Sequence, residues 1–205
     1  MLSTNVEPVA PRWLEKAMIW AVVAGAVAAF SVMLLTVAPR QNLAGVGELG
    51  FLGLKLLFAI GVIGPGVAYL MQSVRPGQNT QKPFAVLSLP FAVIAAVALA
   101  AVLAGPSATR TSMIFGTRWA MCLVCIPLFA VLPFAALIWA LRKGAPTNLR
   151  RTGALAGLVA GGLGAAAYAF HCPDDSLPFV AVWYGGSIAL LGAIGALLGP
   201  KLLRW

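Results

Sequence analysis

The stretch WAMCLVCIPLFAVLPFAALIWAL, residues 119–141, lies between Arg118 and Arg142 and carries no charge of its own. A helix needs about 20 predominantly apolar residues to cross the hydrocarbon core of a bilayer. This run is long enough, and similar runs cover roughly 17–38, 51–71, 84–104, 153–170 and 178–199. Charge punctuates them: the first has only Lys16 at its edge, the second carries Lys55 well inside, and the other four have none. The spacing predicts an all-α polytopic membrane protein, a bundle of six transmembrane helices. Residues 1–16 form a tail and 17–205 the membrane domain, with connections too short for a soluble domain. The first run is too long for a cleavable signal peptide and has no small-residue cleavage site ahead of a soluble part.

Composition agrees. The chain is 61% apolar and 9% charged, where a soluble domain carries roughly 25% charged residues. One histidine and five carboxylates leave little for acid–base catalysis, which excludes a cytosolic enzyme. A disulfide-framework secreted module and a disordered protein are excluded too. The net charge of +9 reads as membrane orientation rather than a nucleic-acid footprint. If both ends share a side, that face holds ten Lys and Arg, among them Arg12, Lys16, Arg142, Lys143, Arg150 and Arg151. The other face holds Arg40, Arg110 and Arg118. Both termini are therefore expected in the cytoplasm.

Small residues mark the packing. Gly153, Gly157, Gly161 and Ala165 form one stripe, and Gly195 and Gly199 lie four apart. Such stripes let helix backbones approach closely. Packing within one monomer is the plainer reading; the oligomeric state stays open. Pro65, Pro90, Pro127 and Pro133 fall in or near spans and are read as architecture. No repeat of the transporter kind is visible.

The polar chemistry gathers at one depth. The fourth span begins outside, so Cys122 and Cys125 lie in about its first two turns. The fifth span ends outside at His171-Cys172-Pro173-Asp174-Asp175-Ser176, and Glu48 and Lys55 come from the outer part of the second. Three readings compete. The cysteines are small apolar residues in helices, with the aspartates solvating a loop and His171 in the interface. Or the oxidising compartment permits a disulfide or reactive thiol pair. Or Cys122, Cys172 and His171 form a soft-metal site, with Asp174 or Asp175 as an oxygen ligand. Cys122 and Cys125 have CxxC spacing, a weak signal on a helix without a second pair. Lys55 either snorkels, pairs with Glu48 two turns away, or belongs to a signal site.

On the inner face the tail contains Glu7, Pro8, Val9, Arg12, Trp13 and Leu14, and its prolines disfavour a continuous helix. The loop around Arg142 and Lys143 is basic, which suits a topology determinant touching lipid head groups.

Several blocks resemble the NrsF-like family of six-span membrane anti-sigma factors. They are Arg118-Trp119-Ala120-Met121-Cys122-Leu123 with Ile126-Pro127-Leu128, Leu141-Arg142-Lys143-Gly144-Ala145-Pro146, the Gly157 and Gly161-Gly162 segment, and above all HCPDDS at 171–176 with Trp183-Tyr184. The closing Leu202-Leu203-Arg204-Trp205 is also similar. The resemblance implies a bacterial inner-membrane regulator that holds an extracytoplasmic-function sigma factor at the cytoplasmic face and releases it under stress, heavy metals included. It places the family's two cysteines at Cys122 and Cys172; Cys125 falls where no family cysteine is expected. It leaves sigma binding to Glu7, Pro8, Val9, Arg12, Trp13, Leu14, Arg142 and Lys143. No nucleic acid is contacted directly, and the only cofactor suggested is a soft metal ion at Cys122 and Cys172. The rival from another class is a membrane thiol–disulfide oxidoreductase using Cys122, Cys125 and Cys172 with a lipid quinone.

Overall fold

The computed structural model describes residues 13–41, 45–73 and 83–204. Long apolar runs become long helices: α1 (Trp13–Thr36), α2 (Val46–Ser73), α3 (Pro83–Ala104), α5 (Trp119–Leu141), α6 (Leu149–Ala169) and α8 (Gly185–Leu202). Two short helices sit between them, α4 (Arg110–Phe115) and α7 (Leu177–Phe179). A π-helical turn over Val180–Tyr184 joins α7 to α8. Six segments are long and apolar enough to cross a membrane, the fourth reaching back to Ser107 and the sixth to Leu177. No strand occurs among the described residues. The expected all-α class and span count therefore hold. Sequence spacing missed α4 and the π turn, both of which lie at the ends of spans.

α6 is the axis. Nearly every residue from Thr152 to Ala169 is buried, and α6 packs on α8, α5, α2 and α1. The glycines make this possible. A Cβ on Gly153 would collide with the Gly195 carbonyl, one on Gly157 with the Leu191 carbonyl, and one on Gly164 with the Ile126 carbonyl. Lipid offers no hydrophobic drive for helix association, so close backbone contact carries the packing. α3 is outermost, against α2 and α7. Pro65, Pro90, Pro127 and Pro133 lie inside continuous helices. Pro133 receives α1 at Gly25, where an added Cβ would sit 3.0 Å from the proline Cα.

α1 stops by a left-handed turn. Val37 N and Ala38 N both donate to the Met33 carbonyl, Ala38 has φ 57°, and Pro39 follows. A non-glycine residue there costs about 1–2 kcal/mol, and the turn aims the Ala38 carbonyl at the α6–α7 loop. The ends of α1 and α6 and the starts of α2, α5 and α7 thus meet at one end of the bundle, called here the thiol end.

Candidate functional site

The HCPDDS motif forms the α6–α7 loop and sends each polar side chain to a different element. Cys172 N and His171 N donate to the Tyr168 carbonyl, closing α6 in a tight turn. His171 Nδ1 lies 2.8 Å from the Ala38 carbonyl, so it carries the proton and donates. Asp174 reaches the start of α5: Oδ1 accepts from Thr117 N and Oγ1 (both 2.9 Å), and Oδ2 from Arg118 N (2.8 Å). A carboxylate there satisfies orphan amides and faces the positive end of the helix. The preceding Gly116 has φ 55°, and a Cβ on it would strike Phe179 and Asp174. Ser176 Oγ donates to the Met113 carbonyl in α4 and receives Phe179 N, capping α7.

Asp175 sits between two cations. Its Oδ1 pairs with Lys55 Nζ and its Oδ2 with Arg40 Nη1, each at 2.8 Å. Both cations also donate to the Cys172 carbonyl, Lys55 at 3.2 Å and Arg40 at 3.4 Å. Lys55 is fully buried. It therefore neither snorkels nor pairs with Glu48, since a buried ammonium needs a partner of opposite charge at contact. Glu48 instead turns its carboxylate back to Gly45 N, and its carbonyl accepts from Arg40 Nη2 (3.0 Å). Arg40 escaped the reading of the sequence, where it counted only as an outer charge. Its place directly after α1, at the depth of Glu48, was the available signal.

Cys122 and Cys172 come together. Both are fully buried, their thiols are mutual neighbours, and each has a tyrosine beside it: Tyr168 at Cys122, Tyr184 at Cys172. The tyrosine rings lie 5.9 Å apart, and neither hydroxyl has a nitrogen or oxygen partner. Sulfur is thus their polar company. The Cys172 thiol, in the loop, is lowered to about 7 by the Cys122 thiol first. The Lys55 charge and Tyr184 add to this, against the contrary effect of burial. The tyrosines, too, were missed as thiol neighbours; Tyr168 stands one turn before Cys172.

All three cysteines are free and buried. Cys125, one turn beyond Cys122, packs into the apolar core with the other two. The third ligand expected from His171 or the aspartates does not reach the thiols. Among the described residues no three His, Cys, Asp or Glu side chains gather so as to hold a metal ion. His171 is committed to Ala38, Asp174 to α5 and Asp175 to its cations. What remains is two soft sulfurs.

At the opposite end, Lys143 Nζ lies 3.5 Å from the Trp139 ring centroid and 5.0 Å from that of Trp13. Arg142 Nε donates to the Leu202 carbonyl at the end of α8 (2.6 Å). Asn148 caps α6 by accepting from Arg151 N (3.0 Å). Trp13, Arg142 and Lys143 thus form one surface, and Leu14 packs beneath it on the core. Glu7, Pro8, Val9 and Arg12 lie outside the described residues.

An all-helical chain with six helices able to cross a membrane, two facing thiols sealed at one end and an open cationic, aromatic surface at the other, has the build of a membrane-embedded regulator. Comparison with known proteins names the family. The model of the family described as negative regulator of sigma F, NrsF, matches residues 2–205, and the chain belongs to that family. It is 32% identical over 181 residues to a probable anti-sigma-F factor NrsF of Azospira oryzae, covering 88% of this chain and 85% of that protein. It is 32% identical over 206 residues to the anti-sigma-F factor NrsF of Caulobacter vibrioides, covering 98% and 92%. No solved structure matches. A family of regulators is not a family of enzymes, which overturns the oxidoreductase alternative.

Proposed function

We propose that this chain holds a sigma factor of the extracytoplasmic-function class inactive at the cytoplasmic face of a bacterial inner membrane. A heavy metal ion or an oxidant acting on Cys122 and Cys172, at the periplasmic end, releases it. The partner is inferred from the family and from relatives described as anti-sigma-F factors. The sidedness is inferred from the Lys and Arg excess around Arg142 and Lys143, with both termini cytoplasmic.

One observation carries the sensing half: two cysteines fifty positions apart meet as buried neighbours. They belong to α5 and to the end of α6, the two helices whose connecting turn bears Arg142 and Lys143. A change at the sulfurs therefore acts on the helices that frame the sigma-binding surface. Two thiolates suit a soft ion that accepts few ligands. Oxidation instead joins the sulfurs in a disulfide, with two electrons passing to the oxidant and two protons to solvent. A 100-fold release requires about 2.7 kcal/mol of differential binding to the two states, which arises when the two sulfurs hold the ion in one state and not in the other.

The sigma-binding half uses Trp13, Leu14, Arg142 and Lys143 together with the tail residues Glu7, Pro8, Val9 and Arg12. Cys122→Ser with Cys172→Ser is expected to abolish induction of a sigma-dependent reporter by metal or oxidant while repression persists. Normal induction in the double variant overturns the sensor role. Deletion of residues 2–12 is expected to give constitutive reporter expression and loss of sigma co-purification. Unchanged co-purification removes the tail from the binding site.

A further inference from the structure

Both thiols are sealed from solvent, so any reagent that acts on them needs a path. On three sides the pair is closed. Tyr168, Tyr184, Phe129 and Phe179 pack around it in one buried cluster. Asp174 binds the loop to the start of α5, and His171 binds it to the end of α1.

The fourth side is different. A cavity of about 390 Å³ lies at the thiol end, lined by Arg40, Gln41, Glu48, Pro173 and Asp175. Pro173 and Asp175 follow Cys172 in the chain, and Arg40, on this wall, donates to the Cys172 carbonyl, as does the buried Lys55. The Arg40–Asp175 pair forms part of the cavity wall, only 10% and 18% exposed. Arg40 Nε is buried without a partner, so the guanidinium is not fully satisfied where it sits. Another cavity, about 410 Å³, is lined by Leu54, Phe58, Pro90, Ile94 and other apolar residues of α2 and α3, with Leu177. It offers a water-borne solute nothing to bind.

We propose that the Arg40–Glu48 vestibule is the port through which a small, water-soluble, thiol-reactive solute reaches Cys172, with the Arg40–Asp175 ion pair as its gate. The proposal rests on the reading of the thiol pair as the sensor. Opening requires that the Arg40 side chain swing out and release Asp175 and the Cys172 and Glu48 carbonyls. Asp175 keeps Lys55 as its partner, so no buried charge is stranded. The loop stays anchored through Asp174, His171 and Ser176 while the cavity becomes continuous with the sulfur.

The test uses the full chain in proteoliposomes, with iodoacetate as a charged probe confined to water. Cysteine sulfur displaces iodide and its proton passes to water; mass spectrometry reads each cysteine separately. Arg40→Ala removes the gate together with its charge-assisted hydrogen bonds to Asp175 and to the Cys172 and Glu48 carbonyls. Cys172 alkylation is therefore expected to rise by roughly ten- to a hundredfold. Gln41→Trp, at an exposed position on the rim, plugs the port and is expected to slow Cys172 alkylation several-fold. Cys125, buried away from the vestibule, serves as internal reference and keeps its rate in both variants. If Gln41→Trp leaves the Cys172 rate unchanged, or if Cys172 and Cys125 accelerate together in Arg40→Ala, the port is refuted and the reagent arrives by another route or by general loosening. Sigma release is not read in this assay. Failure of the port thus leaves the sensor reading intact, and failure of the Cys122→Ser/Cys172→Ser reporter test leaves the port intact.

Discussion

The two ends of the bundle handle charge in opposite ways. At the thiol end, Asp174 accepts from the backbone at the start of α5, and the two cations that meet Asp175 are largely or wholly buried. At the opposite end Arg142, Lys143, Arg150, Arg151, Lys201 and Arg204 stay exposed. There Lys143 lies on ring faces and Arg142 on a backbone carbonyl. A buried charge must be matched, and removing its partner costs far more than removing an exposed one. One end is therefore held in a single arrangement by matched charges. The other leaves its cations exposed.

The largest effect expected from this contrast is at Asp175. Asp175→Asn strands Lys55 in a buried site and should destabilise the detergent-solubilised protein by about 3–5 kcal/mol, seen as a large drop in Tm. Lys55→Met combined with Asp175→Asn should recover much of that loss, because the stranded ammonium is gone. No recovery would mean the pair serves some purpose other than mutual neutralisation. Asp174→Ala comes next, at about 1–2 kcal/mol, the cost of losing a helix cap; the same assay checks it. Lys143→Ala at the other end gives up an exposed cation–π contact of about 0.5–1 kcal/mol. It should hardly move Tm while weakening sigma co-purification. A Tm loss for Lys143→Ala as large as that for Asp175→Asn would erase the distinction between the ends.

The smallest effect is in pH. The thiolate is the nucleophile, and the Cys172 value is lowered to about 7 by Cys122, with Lys55 adding to the shift. Alkylation of Cys172 should climb as pH rises through about 7 and level off above it. Lys55→Met should move that midpoint upward, and Lys143→Ala should leave it in place. Stopped-time alkylation across a pH series reads all three.

Much of this was legible from residue order. The expected fourth span, 119–141, is α5, and the gathering of Cys122, His171, Cys172, Asp174, Asp175 and Lys55 at one end follows from counting crossings. Glycine spacing anticipated the seam between α6 and α8. The roles within the cluster were not legible. His171 could be read as an interface residue or a metal ligand, and is tied to the Ala38 carbonyl; Lys55 could snorkel, pair with Glu48 or serve a signal site, and it pairs with Asp175. Those outcomes depend on where the α1 turn and the π turn before α8 point a few side chains, at a scale below one helical turn.

Sequence by itself determined the helical class, the number of long apolar segments and the end at which the reactive side chains collect. Each depends on length and on the exclusion of charge from a slab about 30 Å thick, which are one-dimensional quantities. Only the tertiary structure decided that Cys122 faces Cys172 rather than Cys125, that Asp175 is divided between Lys55 and Arg40, and that Trp13 lies beside Lys143. Contacts between helices are set by rotation about each axis, and here that rotation is fixed by close glycine-to-backbone contacts along α6, not by local residue order.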